Sequence, residues 1–72
     1  MNTAYKVLES DTDFMIAAMS QTRVSVWHQY NDYPEGKIHD YGGILEGYHP
    51  GMVKIAGKWF RRDRFEFRAY IK

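Results

Sequence analysis

Residues 52–71, MVKIAGKWFRRDRFEFRAYI, carry the clearest structural pattern of the sequence. In the second half of this stretch an apolar residue occupies every other position: Phe65, Phe67, Ala69 and Ile71. This period of two is typical of a strand with one face on a core, so we predict a strand over 65–71 with both phenylalanines pointing inward. The first half predicts two short strands, 52–56 and 58–60. Gly57 joins them in a tight hairpin because glycine accepts the positive φ that such turns need.

Upstream of this stretch, two further strands are predicted. Residues 24–30 alternate between two faces and are rich in β-branched and aromatic side chains, and residues 37–47 form the returning strand after a turn-rich segment at 31–36. The pair Gly42-Gly43 inside the returning strand predicts a bulge or bend, the feature by which a sheet coils towards a barrel. The remaining connections are predicted as a turn at 48–51 and a single helical turn at 61–64.

The N-terminal segment has the residue spacing of a helix. Tyr5 and Leu8 lie three residues apart, and Met15 and Met19 lie four apart, which are the intervals of one helical face. These intervals allow either one longer helix or two short helices, the second of them running to about residue 20 and capped by Asp11 or Thr12.

Together these elements predict a mostly β (α+β) fold, with an N-terminal helix followed by about five short antiparallel strands that form a small SH3-like or Sm-like barrel. We expect a single domain, residues 1–72, with a helical N-terminal segment over 1–21 and the barrel over 22–72. Of two neighbours in one strand, Phe60 is predicted inside and Trp59 partly outside. The predicted core is Val26, Ile44, Val53, Ile55, Phe65 and Phe67.

Composition narrows the protein class. The 72 residues contain no cysteine, so the chain has neither a disulfide framework nor a thiolate metal site. No apolar run approaches the length of a membrane span, and the first ten residues lack the apolar stretch of a signal peptide. We therefore expect a cytoplasmic protein that does not bind membranes.

The net charge of +1 conceals two halves of opposite sign. Up to Val53 the chain has three cations and seven anions, a balance of −4, and from Lys54 onward it has seven cations and two anions, a balance of +5. A basic segment of this kind binds phosphate or an acidic partner, or else the two halves attract each other within one molecule or a homodimer. The sequence leaves both interpretations open.

The region from Val24 to Ile71 resembles the YolD-like family of small proteins from Gram-positive bacteria and their phages. Five short motifs carry the resemblance: Val24-Ser25-Val26, Gly36-Lys37-Ile38-His39, Gly43-Ile44-Leu45, Val53-Lys54-Ile55 and Arg64-Phe65-Glu66-Phe67. The resemblance implies an accessory protein linked to DNA-damage tolerance and translesion polymerases, acting by binding rather than by catalysis.

The sequence shows no constellation typical of an enzyme. There is no cysteine nucleophile and no G-x-S-x-G elbow, and the paired carboxylates fall near turns and helix starts, where capping accounts for them. His28, His39 and His49 are separated by eleven and ten residues, which fits no compact metal-ligand motif. We therefore expect no catalytic activity, no metal and no cofactor.

Two groups of residues are candidates for binding. The first is the basic and aromatic C-terminal segment, with Arg61, Arg64 and Arg68 predicted to be exposed unless they pair with Asp32, Glu35, Asp40 or Glu46; its members are Trp59, Arg61, Arg62, Arg64, Arg68 and Tyr70. Cations with interleaved aromatic rings are typical of surfaces that bind nucleic acid.

The second group belongs to a tyrosine-rich surface around the turn-rich segment, which also includes Tyr41. Its candidate binding residues are Trp27, Tyr30, Tyr33 and Tyr48. Tyrosine and tryptophan are favoured in protein interfaces because they bury a large area at a low entropic cost. Trp27 lies on the strand face opposite Val24 and Val26, so we expect the N-terminal helix or a second subunit to cover it. The leading hypothesis is an interaction module, bacterial or phage, that binds a DNA replication or repair protein. The alternative is a nucleic-acid-binding small barrel.

Overall fold

The computed structural model describes residues 4–29, 31, 34 and 36–70. These residues form one helix and six strands: β1 (Tyr5–Leu8), α1 (Asp11–Met19), β2 (Arg23–His28), β3 (Ile38–His49), β4 (Met52–Ile55), β5 (Lys58–Arg61) and β6 (Phe65–Tyr70). The strands make one antiparallel sheet in the order β1-β6-β2-β3-β4-β5. The mostly β fold is confirmed. The sheet stays open between β1 and β5, so the closed barrel is not.

Strand β1 corrects the prediction of helix at the N-terminus. Tyr5 lies opposite Tyr70 and Leu8 opposite Phe67, so residues 5–8 pair along the edge of β6. Leu8 thereby reaches the core and is buried. A single pair of apolar residues three apart does not distinguish a helix from a strand, and here the free edge of β6 decides the conformation.

Helix α1 begins one residue earlier than the predicted caps. Ser10 is the N-cap, because its Oγ accepts a hydrogen bond from the Asp13 backbone N–H at 3.1 Å while the Asp13 carboxylate accepts from the backbone N–H of Ser10 and of Glu9. These backbone hydrogen bonds lower the pKa of Asp13 from 3.8 to about 2. The helix is thus anchored to the end of β1.

The core lies between α1 and the inner face of the sheet. The prediction is confirmed for Val26, Val53, Ile55 and Phe67, which are buried, and Phe60 points inward as expected while Trp59 is 51% exposed. Around them the core is completed by Leu8, Phe14, Ala17, Val24, Leu45 and Ala69.

Two core predictions are wrong in whole or in part. Ile44 is 45% exposed, and its neighbour Leu45 is buried in its place. The pairing of β3 with β2 slips between Val24 and Val26, so the alternation in β3 is displaced by one residue. Phe65 is only half-buried, although it packs against the core, because β6 begins where the sheet opens.

The bend in β3 coils the sheet. Gly42 has a φ of +72°, and a Cβ at this position would lie 1.8 Å from the carbonyl oxygen of Val24. The twelve-residue strand therefore pairs with β2 along its first part and with β4 along its second. This curvature brings the rings of Phe60 and Phe65 to 6.0 Å across the open side.

The connections differ from the predictions mainly at their boundaries. Residues 62–64 form a turn, closed by the Arg64 N–H donating to the Arg61 carbonyl at 3.2 Å, rather than a helical turn. β3 continues through His49, so the turn predicted at 48–51 is confined to Pro50 and Gly51. Half of the predicted 31–36 turn, namely Asp32, Tyr33 and Glu35, lies outside the described residues. No helix in the described part of the chain is long and apolar enough to cross a membrane.

Candidate functional site

The predicted binding residues do not form one surface. Tyr30 and Tyr33 lie outside the described residues. The other eight lie in five separate environments, which are the α1 side of the core (Arg62, Tyr48), the face of the sheet opposite α1 (Trp27, Arg68), the outer face of the β4–β5 hairpin (Trp59), the end of β5 with the turn that follows it (Arg61, Arg64) and the end of β6 beside α1 (Tyr70).

Arg62 is a structural residue. Its side chain is only 14% exposed; Nη1 donates to Asp11 Oδ1 at 2.7 Å and to the His49 carbonyl at 2.9 Å, and Nη2 donates to the Glu9 carbonyl. The guanidinium carbon lies 4.4 Å from the ring centroid of Phe14. Arg62 therefore joins the basic C-terminal half to the acidic N-terminal half within one molecule.

Replacing Arg62 with glutamine is expected to lower the free energy of unfolding by about 1–3 kcal/mol, because several charge-assisted hydrogen bonds are lost and Phe14 loses its cover. The matched control is Arg61→Gln, expected to change it by less than about 0.5 kcal/mol, since the ion pair of Arg61 with Asp63 lies in solvent. Urea denaturation of both variants measures the difference. Equal losses of unfolding free energy in the two variants would show that the contacts of Arg62 do not stabilise the fold.

Arg68 is also not an exposed cation. Its side chain is 18% exposed and pairs with the Glu66 carboxylate, and its guanidinium carbon lies 4.0 Å from the ring centroid of Trp27 and 4.6 Å from that of Tyr5. The indole N–H of Trp27 donates to Ser25 Oγ at 2.8 Å. The prediction that α1 covers Trp27 is wrong, because α1 packs on the other face of the sheet. The guanidinium of Arg68 covers the Trp27 ring instead. Coverage by a second subunit stays a prediction.

The remaining aromatic residues divide between core and surface. Tyr48 stacks on Phe14 with ring centroids 6.3 Å apart and is half-buried against the core. Trp59 is exposed on β5, with Lys54 Nζ 5.9 Å from its ring centroid and the His49 ring 5.5 Å away. Of the predicted residues, Trp59 therefore keeps the geometry expected of a surface ring beside a cation.

The carboxylates expected to pair with the arginines have other partners. Asp40 accepts from the Gly42 N–H at 2.7 Å and pairs with Lys58 at 3.0 Å, and both contacts lower the pKa of Asp40. Glu46 accepts from the Gly57 N–H at 2.7 Å. Asp32 and Glu35 lie outside the described residues.

A groove between α1 and the sheet was not predicted from the sequence, and of the predicted site residues only Tyr70 lines it among those that the structure describes. It has a volume of about 600 Å³. Its apolar lining comes from the outer side of α1, from β1, from β6 and from the exposed Ile44 of β3, namely Leu8, Ile16, Ala17, Ile44 and Ala69. Lys6, Asp13 and Arg23 stand among its polar lining residues.

The sequence did contain a signal for this groove. Residues 14–19, FMIAAM, are apolar at six consecutive positions, so α1 cannot turn all of them towards one core. Phe14 and Ala17 are buried, whereas Ile16 is 53% and Met19 is 76% exposed. A helix of this kind leaves an apolar surface for something outside the fold to cover.

An open strand edge borders the groove. β1 pairs with β6 on one side, and within the described residues no strand pairs with its other side. Lys6 and Leu8 of this edge strand line the groove, and Lys6 Nζ lies 3.3 Å from Asp13 Oδ1 across it. β1 therefore both lines the groove and has an unpaired edge.

The histidines do not assemble a metal centre. His28 and His39 approach each other, with ring centroids 5.2 Å apart, whereas His49 lies beside Trp59. No group of three or more potential ligands among the described residues has the geometry to hold a metal ion.

Comparisons of the chain with protein-family models, with curated proteins and with solved structures found no match.

Proposed function

We propose that this protein is a non-catalytic interaction module that binds an extended segment of another protein in the groove between α1 and β1. The observation that carries the proposal is an apolar groove that is lined both by the exposed Ile16 of α1 and by β1, a strand with one unpaired edge. Each of the two features attracts a partner, and their adjacency lets one segment satisfy both.

The apolar contribution to the binding free energy comes from side chains that are exposed to solvent in the free protein. Ile16 and Ile44 are about half exposed and both line the groove. Burying a side chain of this size fully contributes about 1.5–3 kcal/mol, so completing the burial of two half-exposed isoleucines contributes about that amount in total towards the about 8 kcal/mol of a micromolar affinity.

The backbone component comes from β1. An extended segment added to a sheet edge gains main-chain hydrogen bonds, and every second side chain of that segment points to the same face. Because Lys6 and Leu8 line the groove, every second side chain of an added strand would point to the face of the sheet on which the groove lies.

The charge of the groove specifies the segment further. Lys6 is paired with Asp13, whereas Arg23 has no ion pair among the described residues. The occupant we propose is therefore an extended segment with apolar residues at alternate positions and an acidic residue placed to meet Arg23.

A selection from a displayed library of short random peptides on the immobilised protein tests this proposal. We expect the enriched peptides to show alternating apolar residues with a carboxylate. Their affinity should fall about tenfold or more for Ile16→Glu and for Ile44→Glu, because each change places a charge in the groove. Trp59→Glu, a charge on an equally exposed ring outside the groove, is the matched control and should bind as the wild type does.

The variants should remain folded, because both isoleucines are half exposed; thermal melting checks this. Enriched peptides that bind Ile16→Glu and Ile44→Glu as tightly as the wild type would contradict the proposal. Loss of peptide binding together with loss of a dimer, by sedimentation, would identify a second copy of the chain as the occupant instead.

A single-stranded nucleic acid is a second candidate ligand, favoured by the exposed ring of Trp59 next to Lys54. Stacking of a base on an aromatic ring is worth about 1–3 kcal/mol. Fluorescence anisotropy with an oligonucleotide should then show an affinity that falls log-linearly with salt and drops on Trp59→Ala. Peptide binding in the groove should respond little to salt.

The wider assignment is part of the same proposal. We propose a bacterial or phage accessory protein of DNA replication or repair, acting in the cytoplasm, with the coiled sheet regarded as an open relative of the SH3-like and Sm-like barrels. The bend of β3 and the proximity of Phe60 to Phe65 support the barrel relationship. Capture from host extract with and without nuclease, comparing wild type with Ile16→Glu, would identify proteins held by the groove.

A further inference from the structure

A second concave site lies at the open corner of the sheet, away from the groove. It is formed where β2 ends, where β3 begins and where the turn joins β5 to β6. Its volume is about 590 Å³, and its lining residues are His28, Gln29, His39, Arg61, Arg64 and Phe65. Four of these six residues are basic, two arginines and two histidines, and their N–H groups can donate hydrogen bonds to an anion.

The rings at this corner are held in fixed positions. His39 stacks on Phe65 with centroids 4.5 Å apart and meets His28 edge-on at 5.2 Å. Phe60 completes the cluster, with its ring centroid 6.2 Å from that of His39. The two imidazole rings are therefore held by contacts with neighbouring aromatic rings.

The two arginines line the same space from the end of β5 and from the turn that follows it. Arg61 is oriented by Asp63, with Nη2 2.9 Å from Oδ2, and Arg64 is exposed with no ion pair among the described residues. The Gln29 side-chain amide donates to the Asp63 carbonyl at 2.8 Å, which ties the turn to the end of β2. One guanidinium is thus positioned and a second is available for a ligand.

We infer that this corner binds a phosphate-type oxyanion between the two arginines and the His28–His39 pair. Guanidinium groups form charge-assisted and often bidentate hydrogen bonds with phosphate, and protonated imidazoles add further donors. The site is independent of the peptide groove, so either proposal stands without the other.

The pair of imidazoles gives binding a pH dependence. Histidine side chains change their charge between about pH 5 and pH 8, and an anion between two of them offsets the repulsion of two positive rings in contact. The described charged groups nearest this corner are Arg61, Asp63 and Arg64 at the end of β5 and in the turn, Asp40 beside His39 on β3, and Lys37, whose carbonyl accepts from the His28 backbone N–H at 2.8 Å. Phe60 and Phe65 are uncharged. Only Asp63 and Asp40 oppose an anion, and each already has a cationic partner.

NMR titration of the labelled protein with inorganic phosphate and with sulfate tests the inference, with chloride at equal ionic strength as the blank. Sulfate keeps its charge over this pH range, so a change in its affinity with pH reports on the protein. We expect saturable shifts at His28, His39 and Arg64 with both ions, and tighter sulfate binding at about pH 5 than at about pH 8.

Arg64→Gln is expected to weaken binding roughly tenfold, the loss typical of one charge-assisted hydrogen bond. His39→Gln should remove most of the pH dependence. Lys54→Gln removes a cation from the neighbouring hairpin and is the matched control; it should bind the anions as the wild type does. Amide spectra establish that each variant is folded.

Two further titrations distinguish the source of the phosphate. A mononucleotide that binds at the corner more tightly than inorganic phosphate identifies a small phosphorylated ligand, whereas an oligonucleotide that alone gains affinity identifies a nucleic-acid backbone. Shifts that are linear in salt, equal for chloride, or unchanged in Arg64→Gln would overturn the inference.

Discussion

Replacing Gly42 with alanine is expected to abolish cooperative folding. The new methyl group would lie 1.8 Å from the carbonyl oxygen of Val24, a backbone atom, and the residue would have to keep a φ of +72°. Relief requires β2 and β3 to separate, and their pairing lies in the middle of the sheet. The cost is comparable with the about 3–5 kcal/mol that a core of this size supplies.

Gly57→Ala and Gly47→Ala are the matched controls for this prediction. Gly57 also has a positive φ, +81°, but nothing lies within 4 Å of its added Cβ, so the change should cost about 1–2 kcal/mol from backbone strain alone. Gly47 has open space without a positive φ and should tolerate alanine. Thermal melting by circular dichroism gives the order. A Gly42→Ala variant as stable as Gly57→Ala would show that the bulge is not needed.

Replacing Phe67 with alanine is expected to cost about 3–5 kcal/mol, enough to unfold much of the population of so small a domain. The ring is buried at the centre of the core, opposite Val26 in β2 and Leu8 in β1, and it meets the ring of Phe14 edge-on at 5.7 Å. Its removal leaves a cavity between helix and sheet.

Phe65→Ala and Trp59→Ala provide a graded comparison for Phe67. Phe65 is half-buried at the open corner and should cost less than Phe67, and the exposed Trp59 should cost least. Urea denaturation measures all three. Equal losses for Phe65 and Phe67 would mean that the open side of the sheet is as closely packed as its centre.

The strands after Arg23 were predictable because alternation and turn residues are local properties. Val53, Ile55, Phe60 and Phe67 are buried as their period of two predicts. The burial of Ile44 was predicted wrongly, because a bulge earlier in β3 reverses the face of every residue that follows. The sequence indicates a bend at Gly42-Gly43 but not how many residues it displaces.

The site was predictable to a smaller degree, because a charged residue's role depends on its tertiary neighbours. Arg62 and Arg61 are adjacent and chemically identical, yet one is held by Asp11 and two carbonyls and the other lies in solvent. Likewise, β1 exists only because the edge of β6 is available to it. No pattern within residues 5–8 contains that information.

The central claim is that the edge of β1 and the apolar side of α1 together bind an extended segment of another protein. Amide hydrogen exchange of the protein with and without a peptide enriched on it measures this most directly. We expect slower exchange at those β1 amides that do not bond to β6 in the free protein, and no such change when the same peptide is added to Ile16→Glu. Protection confined to the β4–β5 hairpin around Trp59, with β1 unchanged, would contradict the claim.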